Sequence, residues 1–173
     1  NGDLIWKHKL NVNICSTPVV IGSRVLVGAD DCNLYAFDRK TGDKLWQFET
    51  EGEIDTMLTR LENNVIFGAW DGVVYCINSE TGKKVWDFHT NNVISCQTFV
   101  DSSNNIYISG GDLYLYSIDK DTADIKWKYK VDSEGLSRGT IYNDVLFIGS
   151  WSGTLHALDP KTGMANWVYQ ADD

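Results

Sequence analysis

The sequence lacks most of the features that mark catalytic or nucleic-acid-binding chains. Only two of its 173 residues are proline, which argues against a linker-rich or disordered chain. No apolar run approaches the roughly 18 residues of a membrane-spanning helix. Fifteen Lys and Arg face 24 Asp and Glu, a formal net charge of −9, and no basic stripe offsets it. Such a surface repels phosphate backbones, so nucleic acid is not expected as a partner. No Gly-x-Ser-x-Gly elbow, Walker loop, zinc motif or dinucleotide fingerprint occurs. Cys15, Cys32, Cys76 and Cys96 are never adjacent and form no Cys-x-x-Cys. A chain of this size needs no disulfide framework, and the four read as small buried hydrophobes. His8, His89 and His156 have no metal-ligand spacing. Asn1-Gly2-Asp3 carries no leader pattern and reads as the start of a trimmed chain, so nothing follows about export from it.

Helical periodicity is also missing; no window of about 11–18 residues shows it. What the chain has instead is repetition. Ala36-Phe-Asp-Arg-Lys-Thr-Gly-Asp-Lys-Leu-Trp46 returns as Cys76 to Trp86, as Ser117 to Trp127 and as Ala157 to Trp167. Trp6 opens the series without an upstream half, and the Trp-to-Trp intervals are 40, 40, 41 and 40 residues. A fixed period of about 20–50 residues marks solenoids, propellers or arrays.

Each unit reads as four short β segments broken by Gly, Asn, Asp and Ser, which predicts an all-β fold. In the first unit these are Cys15–Val20, Val25–Gly28, Asn33–Asp38 and Lys44–Glu49; in the second, the first segment is Asp55–Arg60. The Asp71-Gly72 pair predicts a type I′ hairpin turn. The single extra residue of the third unit falls in 101–105. Val25-Leu26-Val27 and Ile106-Tyr107-Ile108 are apolar on both faces, as a sheet covered from both sides requires.

Asp38, Asn78, Asp119 and Asp159 end the third strand of each unit and can bond the backbone of the following turn. Gly42, Gly82 and Gly163 supply a left-handed residue there, and Ala123 breaks that pattern, predicting a distorted turn. The Trp series falls on the last strand, with Phe48, Phe88, Tyr129 and Tyr169 two residues on and on the same face. The expectation is 16 strands in four antiparallel four-stranded blades, plus one strand near Leu4–Leu10, with Trp46, Trp86 and Trp127 buried between blades.

This pattern resembles the PQQ-like repeat of quinoprotein-type β-propellers, with its tryptophan-docking motif of Ala-x-Asp, then x-x-Thr-Gly, then Trp. The matching residues are Ala36, Asp38, Thr41, Gly42 and Trp46, then Thr81, Gly82 and Trp86, then Asp119, Thr122 and Trp127, then Ala157, Asp159, Thr162, Gly163 and Trp167. The resemblance covers the chain, 1–173, as one domain or a fragment of one, with repeats at about 1–40, 41–80, 81–120 and 121–160 and residues 161–173 completing the last blade. It implies a ring of seven or eight blades of which this chain supplies four. The Trp6 strand and the strand of Trp167 are both outer strands, so the chain is not expected to close by itself. The missing surfaces would be met by remaining blades of a longer chain or by self-association. Family resemblance alone favours a periplasmic or cell-surface location.

Some members of the family resemble dehydrogenases that hold pyrroloquinoline quinone and Ca²⁺; others are scaffolds or sensors. Ca²⁺ takes about 6–8 oxygen ligands. Here Asp30-Asp31 is the closest approach to an acidic loop and reads as a solvated turn, and the adjacent Cys pair typical of the enzymes is absent. No catalytic or metal residue carries over.

Candidate ligand contacts come from the predicted channel-lining segments. Asp55, Gln97 and Arg138 stand there among small neutral residues, with solvated or mutually paired charges as the plain alternative. Trp70 and Trp151 occupy one repeat position at a rim, where they can stack on a ligand or pack over a neighbouring blade. His156 replaces Tyr35, Tyr75 and Tyr116 and reads as an aromatic substitute in packing. The function implied is a non-catalytic scaffold for a protein partner or small-molecule ligand. A fragment of a quinone-dependent oxidoreductase and a sensor module of a larger receptor are the alternatives.

Overall fold

The computed structural model describes residues 2–90, 97–133 and 136–171. Cys96 and the start of its segment lie outside the described residues. Among the described residues, sixteen strands form four antiparallel sheets, each built from four consecutive strands in sequence order. The first is β1 (Val19–Ile21), β2 (Arg24–Gly28), β3 (Asn33–Asp38) and β4 (Lys44–Glu49). The second is β5 (Thr59–Leu61), β6 (Asn64–Gly68), β7 (Val73–Asn78) and β8 (Lys84–His89). The third is β9 (Gln97–Val100), β10 (Ile106–Ser109), β11 (Tyr114–Ile118) and β12 (Ile125–Lys130). The fourth is β13 (Thr140–Tyr142), β14 (Val145–Gly149), β15 (Thr154–Leu158) and β16 (Ala165–Gln170). These are β-propeller blades, as the repeat predicted, and no helix occurs among the described residues.

Three apolar clusters join blade one to two, two to three, and three to four. Leu26, Ile66, Tyr107 and their neighbours on the middle strands are buried on both faces. Each blade repeats one register: Ala36, Cys76, Ser117 and Ala157 stand opposite Trp46, Trp86, Trp127 and Trp167, and the ladder slips by one residue immediately afterwards. That bulge turns Leu45 and Val85 outward while the Trp faces the next blade.

Several expectations are corrected. Residues 4–10 form no strand; Trp6 instead packs on blade one, with its indole N–H on the Arg39 carbonyl. In blades one and two the first strand is shorter than predicted. Ser16, Thr56 and Ser137 precede β1, β5 and β13 and use their hydroxyls to hold the backbone of Gly28, Gly68 and Gly149 at 2.7–3.0 Å. The Asp71-Gly72 turn is not type I′. Gly72 N–H donates to the Ala69 carbonyl, and only Gly72 has a positive φ, so Trp70 and Asp71 occupy the corners of a type I turn. The two-residue turn with both φ positive is Asn143-Asp144. Ala123 does not distort its turn: with φ 63° its N–H donates to the Asp119 carbonyl at 3.0 Å, as Gly82 does to Asn78 at 2.9 Å. Cys76 is buried, as expected, whereas Cys15 is exposed.

Candidate functional site

Consecutive strands are antiparallel, so the links between blades and the turns between second and third strands lie at one end of the molecule. Backbone bonds tie them together there, among them Ile54 N–H to Ala29, Trp70 N–H to Glu53 and Ser137 N–H to Gly149. The Thr-Gly turns and their docked tryptophans lie at the other end.

The linker end is acidic. Within segments 11–18, 28–33, 50–58, 68–73, 109–113, 131–139 and 149–154, Arg138 is the single Lys or Arg. Three of its carboxylates are committed to the Tyr of their own blade. Tyr35, Tyr75 and Tyr116 donate their hydroxyls to Asp31, Asp71 and Asp112 at 2.6, 2.8 and 2.5 Å. Asp31 and Asp71 also accept the N–H two residues on and so fasten the turn. The hydrogen bond to Asp31 and burial push the Tyr35 phenol up to about 12. Burial first, then the Asp71 and Asp112 contacts, raise Tyr75 and Tyr116 as well.

The fourth blade solves the same problem differently. Ser152 stands where the other blades have Asp31, Asp71 and Asp112, and His156 replaces the Tyr. The carboxylate comes instead from Asp132 on the linker. It accepts from Ser152 Oγ at 2.6 Å and from the Thr154 hydroxyl, and lies 3.2 Å from His156 Nε2. Tyr129 OH lies 3.2 Å from His156 Nδ1, with the rings edge to face. Burial works to raise the Asp132 carboxyl, but the Ser152 and Thr154 bonds outweigh it and hold the carboxyl far below the usual range. His156 is therefore the buried aromatic that the repeat predicted and also a polar link to the linker. The paired exchange of Asp for Ser152 and Tyr for His156 was the only sequence signal of this rearrangement.

Of the sequence-predicted site residues, Asp55 and Arg138 lie on linkers of blades two and four rather than on strands. They are not paired to each other. Arg138 Nη1 reaches Met57 Sδ at 3.0 Å, bringing these two linkers together, and one oxygen of half-buried Asp55 is shielded from solvent without a hydrogen-bond partner. Arg138 also borders a cleft of about 570 Å³ between the inner strands β9 and β13, with Phe99, Asp101 and Thr140 on its walls. Gln97 starts β9 opposite Ser109; its side chain lies outside the described residues. Trp70 and Trp151 occupy equivalent corners of their turns and are 48% and 86% exposed. The cleft beside Arg138 and the charge of this end were missed in the sequence because both arise from bringing several linkers together.

Pyrroloquinoline quinone with Ca²⁺ does not fit this donor set. No three His, Cys, Asp or Glu side chains converge among the described residues, and Asp31, Asp71 and Asp112 are each turned onto a Tyr. No helix among the described residues is long and apolar enough to cross a membrane.

The family model described as outer membrane protein assembly factor BamB matches residues 1–67 and 70–173. The structure is similar to that of BamB from Moraxella catarrhalis, at 21% identity and a TM-score of 0.81, over 94% of this chain and 55% of that one. It is similar to the computationally designed Ika4 protein, at 19% identity and a TM-score of 0.79, over 92% of this chain and 98% of that one. It also resembles a europium-containing methanol dehydrogenase, at 17% identity and a TM-score of 0.78, over 97% of this chain and 44% of that one. At these identities the likeness is one of fold. The chain spans about half the length of the BamB structure it matches. No curated protein sequence matches the chain significantly.

Proposed function

This chain belongs to the family described as outer membrane protein assembly factor BamB, and from that membership we propose that it is a non-catalytic scaffold that holds a protein partner at its acidic linker end. The observation that carries this reading is the pair of exposed indoles. Trp70 and Trp151 sit on hydrogen-bonded turns, present much of their indole surface to solvent, and flank linkers bearing Arg138 and Asp55. Large rigid aromatics beside a few charged groups are the usual anchors of protein interfaces. The surrounding carboxylates favour a partner segment that brings cations and backbone donors. The family's description as an outer membrane protein assembly factor supports such a role and an extracytoplasmic setting.

Photo-crosslinking side chains placed at 70 and 151, compared with the same groups at 40 and 161 on the opposite end, test the location. Adducts with a protein formed from the first pair alone are expected. Adducts confined to the second pair would overturn the assignment. Incubation with pyrroloquinoline quinone and Ca²⁺ tests the non-catalytic part. A stoichiometric spectral change with dye-linked alcohol oxidation would replace the scaffold by an oxidoreductase.

A further inference from the structure

Arg138, the single cation of the linker end, has no anion. Among the described residues no carboxylate lies within ion-pair distance of it. At the opposite end Arg24, Lys120 and Lys126 each reach an Asp or Glu, at 3.6, 2.8 and 3.7 Å. The linker end does not lack carboxylates, but Asp31, Asp71 and Asp112 are turned onto tyrosine hydroxyls and Asp132 onto Ser152, Thr154 and His156. The bond from Arg138 Nη1 to Met57 Sδ at 3.0 Å spends one of five N–H donors on a weak acceptor.

The backbone that carries Arg138 is held tightly at the edge of a cleft. A Cβ on Gly139, the next residue, would fall 2.4 Å from Phe99 Cζ. Phe99 is itself fixed, buried and stacked on Tyr107 with ring centroids 4.8 Å apart. Beside them runs the cleft of about 570 Å³ between β9 and β13, with Val100 and Ile141 on its walls. Both walls come from consecutive blades inside the chain.

Arg138 also connects the blades that carry the exposed indoles. Its contact with Met57 joins the linker of blade four to that of blade two, and the turns of these blades bear Trp151 and Trp70. Each turn is fastened to its own linker, Trp70 N–H on the Glu53 carbonyl and Ser150 paired with Leu136. A segment that rests on both indoles crosses Arg138 along its length and does not end there.

We propose that Arg138 is the specificity anchor of the linker end: it takes the side-chain carboxylate of an Asp or Glu in the partner protein, which enters the cleft between β9 and β13 and pairs with the guanidinium through two parallel hydrogen bonds. The inference rests on the protein-partner reading of this end. The partner segment is then of mixed charge, one acidic residue flanked by Lys or Arg that face the surrounding carboxylates. A segment bearing cations alone would cover Arg138 without giving it an anion, and the cost of that uncompensated charge rejects it.

Nuclear magnetic resonance titration of the full chain tests this with three peptides: acetyl-Lys-Ala-Glu-Ala-Lys-amide, the same peptide with Gln for Glu, and acetyl-Lys-Ala-Gln-Ala with a free terminal carboxylate. The Glu peptide should shift the amide signals of residues 138–141 and 99–102. It should bind at least about tenfold more tightly than the Gln peptide, the discrimination expected of one charge-assisted pair. Arg138→Gln should abolish that difference, and Arg138→Lys, which keeps the charge but loses the fork, should retain part of it. Arg138 is exposed, so both variants should melt as the unsubstituted chain does. Equal binding of the Glu and Gln peptides, a terminal carboxylate that binds as well as the Glu side chain, or no shift at 138–141 would overturn the proposal. Photo-crosslinking separates it from the broader reading. Adducts from 70 and 151 that survive Arg138→Gln undiminished keep the partner site and remove Arg138 from it, whereas adducts confined to 40 and 161 remove the site itself.

Discussion

The indole of Trp86 reaches across a blade boundary, its N–H on the Lys120 carbonyl at 2.8 Å and its ring against the turn that holds Ala123. Neither residue is near the other in sequence, yet each is placed by a local rule. The bulge after the Cys76 and Trp86 pair aims the indole outward from its own sheet. Asp119 accepts the N–H groups of Asp121 and Thr122 and so shapes the turn that receives it. Ring burial and one shared carbonyl together lock consecutive blades.

Trp86→Ala is expected to cost about 3–5 kcal/mol, the range for a large aromatic removed from a core. Trp167→Ala, the same substitution at the same repeat position, should cost less than about 1 kcal/mol in the monomer, because that ring is half exposed. Urea unfolding of the two variants makes the comparison. Equal losses would mean that the tryptophans act within their own blades and not between them.

The turn at Ala123 stores strain. A non-glycine residue in the left-handed region costs about 1–2 kcal/mol, while glycine at that site costs about 0.4–1 kcal/mol through the freedom it adds to the unfolded chain. Ala123→Gly should therefore stabilise the protein by about 0–1.5 kcal/mol. The reverse change, Gly82→Ala, should destabilise by more than the strain alone, since a Cβ on Gly82 would come within 2.8 Å of the Trp46 ring. Paired denaturation curves with unchanged slopes decide it; a destabilising Ala123→Gly would show that the methyl's contacts outweigh the strain.

Acid should weaken the fold through the same turns. Backbone N–H groups hold the carboxyls of Asp38, Asp119 and Asp159 below their ordinary range. A carboxyl with a lowered folded value stabilises the native state above its unfolded value of about 4 and loses that contribution as pH falls below it. Asn78 performs the same capping without titrating, accepting from Glu80 and Thr81. Converting Asp38, Asp119 and Asp159 to Asn should keep the turns and flatten the decline in melting temperature as pH falls below about 4. An undiminished acid limb would assign that decline to other carboxylates, Asp132 first.

Much of this architecture was legible because it repeats. Four copies of one pattern reveal the Trp, the capping Asp or Asn and the turn glycine together, and each has a local cause. What was not legible comes from juxtaposition. The short first strands depend on Ser16, Thr56 and Ser137 reaching glycines twelve residues away. The Arg138 contact with Met57 spans 81 residues, so no spacing rule announces it. Ala123 misled in the other direction: its sequence departed from the pattern, but three flanking hydrogen bonds outweighed the preference of one residue.

Alkaline pH should open the molecule from the linker end. Tyr35, Tyr75 and Tyr116 each donate a hydrogen bond to an Asp, and their phenols are all raised, Tyr35 to about 12. Ionising any of them would bury a phenolate against a carboxylate. A group with a raised folded value stabilises the native state below its unfolded value, here about 10, and loses that contribution as pH climbs through the folded value. Stability should therefore be level up to about pH 9 and fall from about pH 10 upward. Tyr116→Phe should remove part of that slope at the cost of one charge-assisted hydrogen bond at neutral pH, about 1.5–3 kcal/mol. Blade four contributes nothing to the slope at this position, because His156 stands there, so replacing His156 by Tyr should steepen the alkaline limb only if Asp132 accepts the new hydroxyl as Asp112 accepts that of Tyr116. Melting curves from pH 8 to 11.5 on these variants provide the measurement. A slope indifferent to both substitutions would mean that the phenols ionise only after the blades have separated.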